Sequence, residues 1–149
     1  MKATRTWVVV ADGRSGRVYQ NDGPGRGLQA VAGGSFEAPR LRDQDVYADR
    51  PGRTHDSGGQ GRHAMERPSS TDDQLRGQLV AALTKWLDQE NEAGQFDRLV
   101  LVAAPKSLGT LRDKLSTNLR HKLAGESHKD LTKAAPAEIV EALSDTILL

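Results

Sequence analysis

Two runs of the chain are apolar without a break: "WVVVA" over Trp7–Ala11, and the core of "RLVLVAAP" over Arg98–Pro105. A strand wetted on one face alternates apolar with polar residues, and a helix needs a longer pattern than either run offers. Both therefore read as buried strands, rich in β-branched residues. The second is expected to be covered on both faces. A sheet with such strands needs other layers packed against it, which already points away from an all-helical or open all-β fold.

The rest of the chain supplies those layers. After Trp7–Ala11, the pair Asp12-Gly13 ends the strand, and Gly13 and Gly16 supply a turn into a second strand at Arg17–Gln20. A turn cluster over Asn21–Gly27 leads to "LQAVAGGSF", Leu28–Phe36, a third strand in which Gly33-Gly34 suggests a bulge or an end. These three strands make an antiparallel meander. From Ala38 to Ser70 the apolar pattern disappears, and a long irregular loop is expected at about 38–70. Ser70 or Thr71 can then cap a helix with Asp72 and Asp73 in its first turn. Its inner face is Leu75, Leu79, Leu83, Trp86 and Leu87, and Gly94 is placed to stop it. Pro105 starts a second helix with Leu108, Leu111 and Leu115 inward. A weak strand is expected near Lys122–Glu126, then a final helix from Pro136 with Ile139, Leu143 and Ile147 inward. The expected fold is α/β, a mixed β-sheet covered by helices, in one domain over residues 1–149.

Charge and composition narrow the function classes. Lys+Arg number 21 and Asp+Glu 20, a net charge of +1, so attraction to a polyanion must come from local clustering. The absence of cysteine excludes disulfides and thiolate metal sites. No apolar stretch approaches the roughly 20 residues of a membrane span, and the run at Trp7–Ala11 is too short for a signal segment. A cytoplasmic protein without a membrane partner is expected.

The sharpest motif is Gly58-Gly59-Gln60, inside "DRPGRTHDSGGQGRHAMERP". Adjacent glycines open backbone angles closed to other residues and bring bare backbone close to a ligand. Such a segment can push a glutamine into a narrow centre, where its amide and backbone N–H orient a water or stabilise a developing oxyanion. The alternative is a flexible glycine tract. Around the triplet, Arg50, Arg53, Arg62 and Arg67, with His55 and His63, outnumber Asp56 and Glu66, as expected of a segment that neutralises RNA phosphates. The alternative there is a solvated loop whose arginines pair with Asp43, Asp45 and Asp49.

Other chemistry is less well supported. His55, His63, His121 and His128 lack the spacing of a zinc site, so neither a metal nor another cofactor is expected. Asp12, Asp49 and Glu126 invite a two-metal nuclease, but no feature brings the three together. Lys106 and Ser107 open a helix after a strand without the glycine-rich Walker pattern, and Ser57 has no G-x-S-x-G elbow.

Three stretches in order, "WVVVADGRSGRVY", "DRPGRTHDSGGQGRHAMERP" and "ESHKDLTK…PAEIVEAL", resemble the bacterial host attachment family, across almost the whole chain. That family is similar to the middle domain of the archaeal and eukaryotic peptide release factor and of Pelota. The resemblance implies a ribonuclease-H-like sheet, the ribosome or tRNA as partner, and a central segment that reaches toward the peptidyl transferase centre. Gly58, Gly59 and Gln60 match the release-factor triplet letter by letter. The residues after it depart: "GRHAME" and then Pro68 stand where release factors carry a Ser-Ala-like step and an Arg-Phe pair. Codon-reading and factor-recruiting domains have no counterpart in 149 residues, so ribosome rescue, hibernation or tRNA binding is expected. In that role Arg50, Arg53, Arg62, His63 and Arg67 would contact RNA, and Gln60 would position water or a terminal adenosine, with binding favoured over catalysis. A second reading is a non-enzymatic host attachment protein acting through protein–protein contacts. Oligomeric state is open.

Overall fold

The computed structural model describes residues 3–38 and 57–149, with side chains for residues 3–38 and 71–149. Among the described residues five strands form one sheet: β1 Thr6–Ala11, β2 Ser15–Asn21, β3 Gln29–Glu37, β4 Arg98–Ala103 and β5 Leu123–Ser127. Their order across the sheet is β3-β2-β1-β4-β5. β1 and β2 pair antiparallel, as do β2 and β3, which is the expected meander. β4 lies parallel to β1, with Val9 beside Leu101, and β5 lies parallel to β4. This mixed order is that of the helix-covered α/β sheet expected from the sequence.

The unbroken apolar runs sit at the centre of the sheet because only there are both faces covered. On one face Trp7, Val9, Ala11, Leu99 and Leu101 pack against Val80, Leu83, Leu87, Leu108, Leu111 and Leu119. On the other, Val8, Val10, Val100 and Val102 pack against Ile139, Leu143 and Leu149. The helices of the first face are α1 Ser57–Glu92, α2 Pro105–Lys114 and α3 Thr117–Lys122; the second face takes α4 Pro136–Ala142. Ile147, expected inward on the last helix, lies beyond its end and packs against the second cluster only in part.

The edge strand β3 shows why Gly33-Gly34 was placed where it is. The β2–β3 register shifts between the Arg17–Ser35 and Tyr19–Ala30 pairs, so the bulge read from the glycine pair is present. Gly33 has φ 79°, and Trp86 lies against it. At the far end of α1, Gly94 stops the helix as expected, at φ 71° and with its N–H bonded to the Asn91 carbonyl at 3.0 Å.

Two expectations are corrected. The irregular segment does not extend to Ser70: α1 begins at Ser57, so residues 57–70 are helical and neither Ser70 nor Thr71 is its cap. Glycines 58, 59 and 61 and Pro68 disfavour helix locally, which is why the sequence reads as loop. Helix growth, however, adds one bond per residue once a nucleus exists, and the packed stretch from Leu75 to Leu87 supplies that nucleus. Second, α3 went unread from the sequence. Ser116 accepts a bond from the Leu119 N–H at 3.1 Å and restarts the chain as helix after α2 ends at Lys114.

Candidate functional site

The carboxyl ends of β1 and β4 meet the flank of α1, and their turn residues are built around Asp12. Its Oδ1 accepts the Arg14 and Ser15 backbone N–H groups, both at 2.7 Å, which closes the β1–β2 turn. Beside the turn is a cleft of about 300 Å³ lined by Asp12, Gly13, Arg14, Asp72, Leu75 and Arg76. Arg76 is its fixed member, with a side chain only 15% exposed. Nη1 bonds to Asp73 Oδ1 at 2.7 Å and Nε to Ser107 Oγ at 3.3 Å. Gly13 makes room for that guanidinium, since a Cβ there would come within 3.3 Å of Nη2.

Looser contacts complete the edge. Arg14 reaches Asp72 at 3.5 Å and Lys106 reaches Asp73 at 3.8 Å, all largely exposed groups whose pairing adds little stability. The cations and carboxylates of the cleft balance. Its evident role is mechanical: it fixes α1 to the β1–β2 turn and to the start of α2. Neither Arg14 nor Arg76 was singled out from the sequence. The Asp73-Arg76 spacing, i and i+3 on a helix, was the signal available.

From this anchorage α1 runs toward its N-terminus through the residues that the sequence marked out. A helix of 36 residues is about 54 Å long. Gly58, Gly59 and Gln60 occupy its first turn, which corrects their expected place on an irregular loop. Arg62, His63 and Arg67 follow within the same helix, with residues 59, 63 and 67 at successive i, i+4 positions. The N–H groups of residues 57–59 have no acceptor within the helix, and its dipole makes that end electropositive. Arg50, Arg53, Asp49 and His55 lie outside the described residues.

The remaining candidates are dispersed. Glu126 lies on β5 opposite Leu101, which in turn lies beside Val9 of β1. It thus stands two strands from Asp12, about 10 Å across the sheet, too far for a shared two-metal centre with ions about 4 Å apart. Arg112 holds it instead, with Nε at 2.8 and 3.0 Å from the two carboxylate oxygens. His121 and His128 stand at opposite ends of β5, about 17 Å apart along the strand. Among the described residues no group of three His, Cys, Asp or Glu side chains could hold a metal ion.

Three carboxyls are held below the usual carboxylate range, Asp130 chiefly by the hydrogen bond from the Thr132 hydroxyl. For Glu126 the main cause is its hydrogen bonding to Arg112; for Asp97 it is the Arg5 backbone N–H, donated at 2.8 Å. Both contribute stability that is present above the unfolded values of about 4 and lost as pH falls through the lower folded ones. Thermal melts should therefore fall modestly as pH drops below about 4, since both pairs are partly exposed, and Glu126→Gln should make that descent shallower. Superimposable acid profiles for the two proteins would refute the assignment.

Comparison with known proteins adds a lineage to this geometry. Among the described residues no helix is long and apolar enough to cross a membrane. No curated protein matches the sequence. Among solved structures, the archaeal translation termination factor aRF1 is similar over 83% of this chain, with a TM-score of 0.50 and 9% identity. The match covers 29% of that chain, so less than a third of aRF1 has a counterpart here. At that identity the likeness speaks for the fold alone. The model of the bacterial archaeo-eukaryotic release factor family 12 matches residues 5–143, from the start of the sheet to the last helix. The chain belongs to that release-factor family.

Proposed function

We propose that the protein binds the ribosome or tRNA through the N-terminal half of α1 and the segment before it, in ribosome rescue or hibernation. The observation that carries this reading is a Gly-Gly-Gln triplet in the first turn of a long helix, in a release-factor-family chain whose sheet anchors that helix at residues 72–76. Arg50, Arg53, Arg62, His63 and Arg67 contact RNA phosphates, and Gln60 lies at the terminal adenosine of tRNA. Binding, rather than hydrolysis of peptidyl-tRNA, is the favoured role.

Cosedimentation with ribosomes tests the reading. Retention should fall steeply with salt, and Arg53→Ala with Arg62→Ala should lower the slope of log affinity against log salt by about two. Absence of cosedimentation at low salt would end the proposal. Release of peptide from stalled ribosomes is a separate readout. If Gln60→Ala abolishes release that the parent protein performs, the role is catalytic; equal behaviour leaves it one of binding.

A further inference from the structure

The segment "PKSLGTLRDKLSTNLRHK", which covers α2 and α3, carries Lys106, Arg112, Lys114, Arg120, His121 and Lys122 against one acid, Asp113. The whole chain is nearly neutral, at +1, so its other elements carry a net negative charge and this pair a positive one. Ser107, Leu108, Leu111, Leu115 and Leu119 turn inward and are buried. Lys106, Arg112, Lys114, Arg120 and His121 are consequently exposed, with Lys122 half-buried.

A structural account covers part of this charge. Arg112 is committed to Glu126. Arg120 staples the two helices together, its Nη2 at 2.7 Å from the Arg112 carbonyl and its Nε at 3.2 Å from that of Leu115. Cations near helix C-termini also favour the dipole, and α2 and α3 both end on them. That account leaves Lys114, His121 and Lys122, none of which has an ion-pair partner within 4.0 Å among the described residues. Asp97, which feels Lys122, is bonded to Arg5, and Asp88 accepts from Ser116 Oγ at 2.6 Å at the α2–α3 junction. The Lys114 and His121 side chains are exposed on a stapled, capped scaffold, with Lys122 half-buried beside them.

We infer that the α2–α3 face is a second RNA-contact surface, which grips the phosphate backbone of a structured RNA without reading its bases. This rests on the proposed RNA partnership and extends it to a part of the fold remote from Gln60. Cations carried on a rigid helix pair suit a fixed array of phosphates. Trp7, Trp86, Phe96 and Phe36 stack together in and around the core, so none of them supplies a platform for unpaired bases on this face. Backbone contact to a duplex is the mode that remains. α2 and α3 belong to the same layer as α1, so one RNA surface can meet this face and the flank of α1 together.

The test uses the full chain with two probes, purified ribosomes and a labelled RNA duplex of arbitrary sequence. Lys114→Gln with Lys122→Gln should weaken both complexes and reduce the salt slope by about two, while Lys114→Arg with Lys122→Arg restores them. Unchanged circular dichroism and melting temperature confirm that charge, not folding, is read. If the parent protein binds ribosomes and the glutamine variant binds equally well, the second surface is overturned while the Gly-Gly-Gln reading stands. Weaker ribosome binding by the variant, with no duplex binding by either protein, would reassign the face to an acidic protein and overturn the RNA assignment. If the parent binds neither probe, both proposals fall.

Discussion

Trp7→Ala is expected to cost about 3–5 kcal/mol of folding stability, seen as a large drop in urea midpoint followed by circular dichroism. Trp7 is 2% exposed at the start of the central strand. Its ring stacks on Phe96 at 4.6 Å and on Trp86 at 5.2 Å, and Trp86 in turn meets Phe36 edge-on at 5.5 Å. Truncation would remove the middle of this chain of rings, which ties β1, β3, α1 and the approach to β4 together. The indole Nε1 also donates to Gln20 Oε1 at 2.8 Å, a bond worth about 1 kcal/mol. Trp7→Phe should lose that bond and part of the volume, and so fall well short of the alanine variant. A loss below about 1 kcal/mol for Trp7→Ala, the scale of an ordinary substitution, would show that the cluster closes over the gap or adds little.

Gly34→Val should destabilise the protein by about 1–3 kcal/mol through overpacking. A Cβ at Gly34 would meet Val18 Cβ at 3.0 Å, the Val31 carbonyl at 3.1 Å and the Trp86 ring at 3.2 Å. None of these is the end of a flexible side chain, so the bulged strand itself must shift. The contrasting substitution is Gly77→Ala in α1, where nothing lies within 4 Å of the added carbon. There the gain in helix propensity, up to about 1 kcal/mol, should raise the melting temperature. Opposite signs at the two glycines would attribute the effect to local space; equal signs would contradict it.

The sheet was legible in the sequence because its burial is written in residue type. Val8, Val9 and Val10 admit no solvent-facing member, and the turn at Asp12-Gly13 announces where the strand stops. The final helix was legible from Pro136, Ile139 and Leu143 for the same reason. The start of α1 was not, since Gly58, Gly59, Gly61 and Pro68 all report against helix, and growth from the packed region beyond Leu75 outweighs them. α3 was missed because its six residues offer a single inward side chain, Leu119. The anchoring cleft was hidden for another reason: Arg14, Arg76 and Ser107 are far apart in sequence, and each is unremarkable alone. The parallel pairing of β1 with β4 and the packing of α1 on that face bring their neighbourhoods together. The Gly-Gly-Gln triplet could be picked out, but its helical setting could not.

The two ends of the central segment have fixed moorings on the folded body. On one side the Ala38 N–H bonds to the Arg14 carbonyl at 2.8 Å; on the other, Asp72, Asp73 and Arg76 hold α1. Losing an exposed carboxylate at that mooring, such as Asp72, taxes the fold lightly, whereas a single change at the buried Trp7 taxes it heavily.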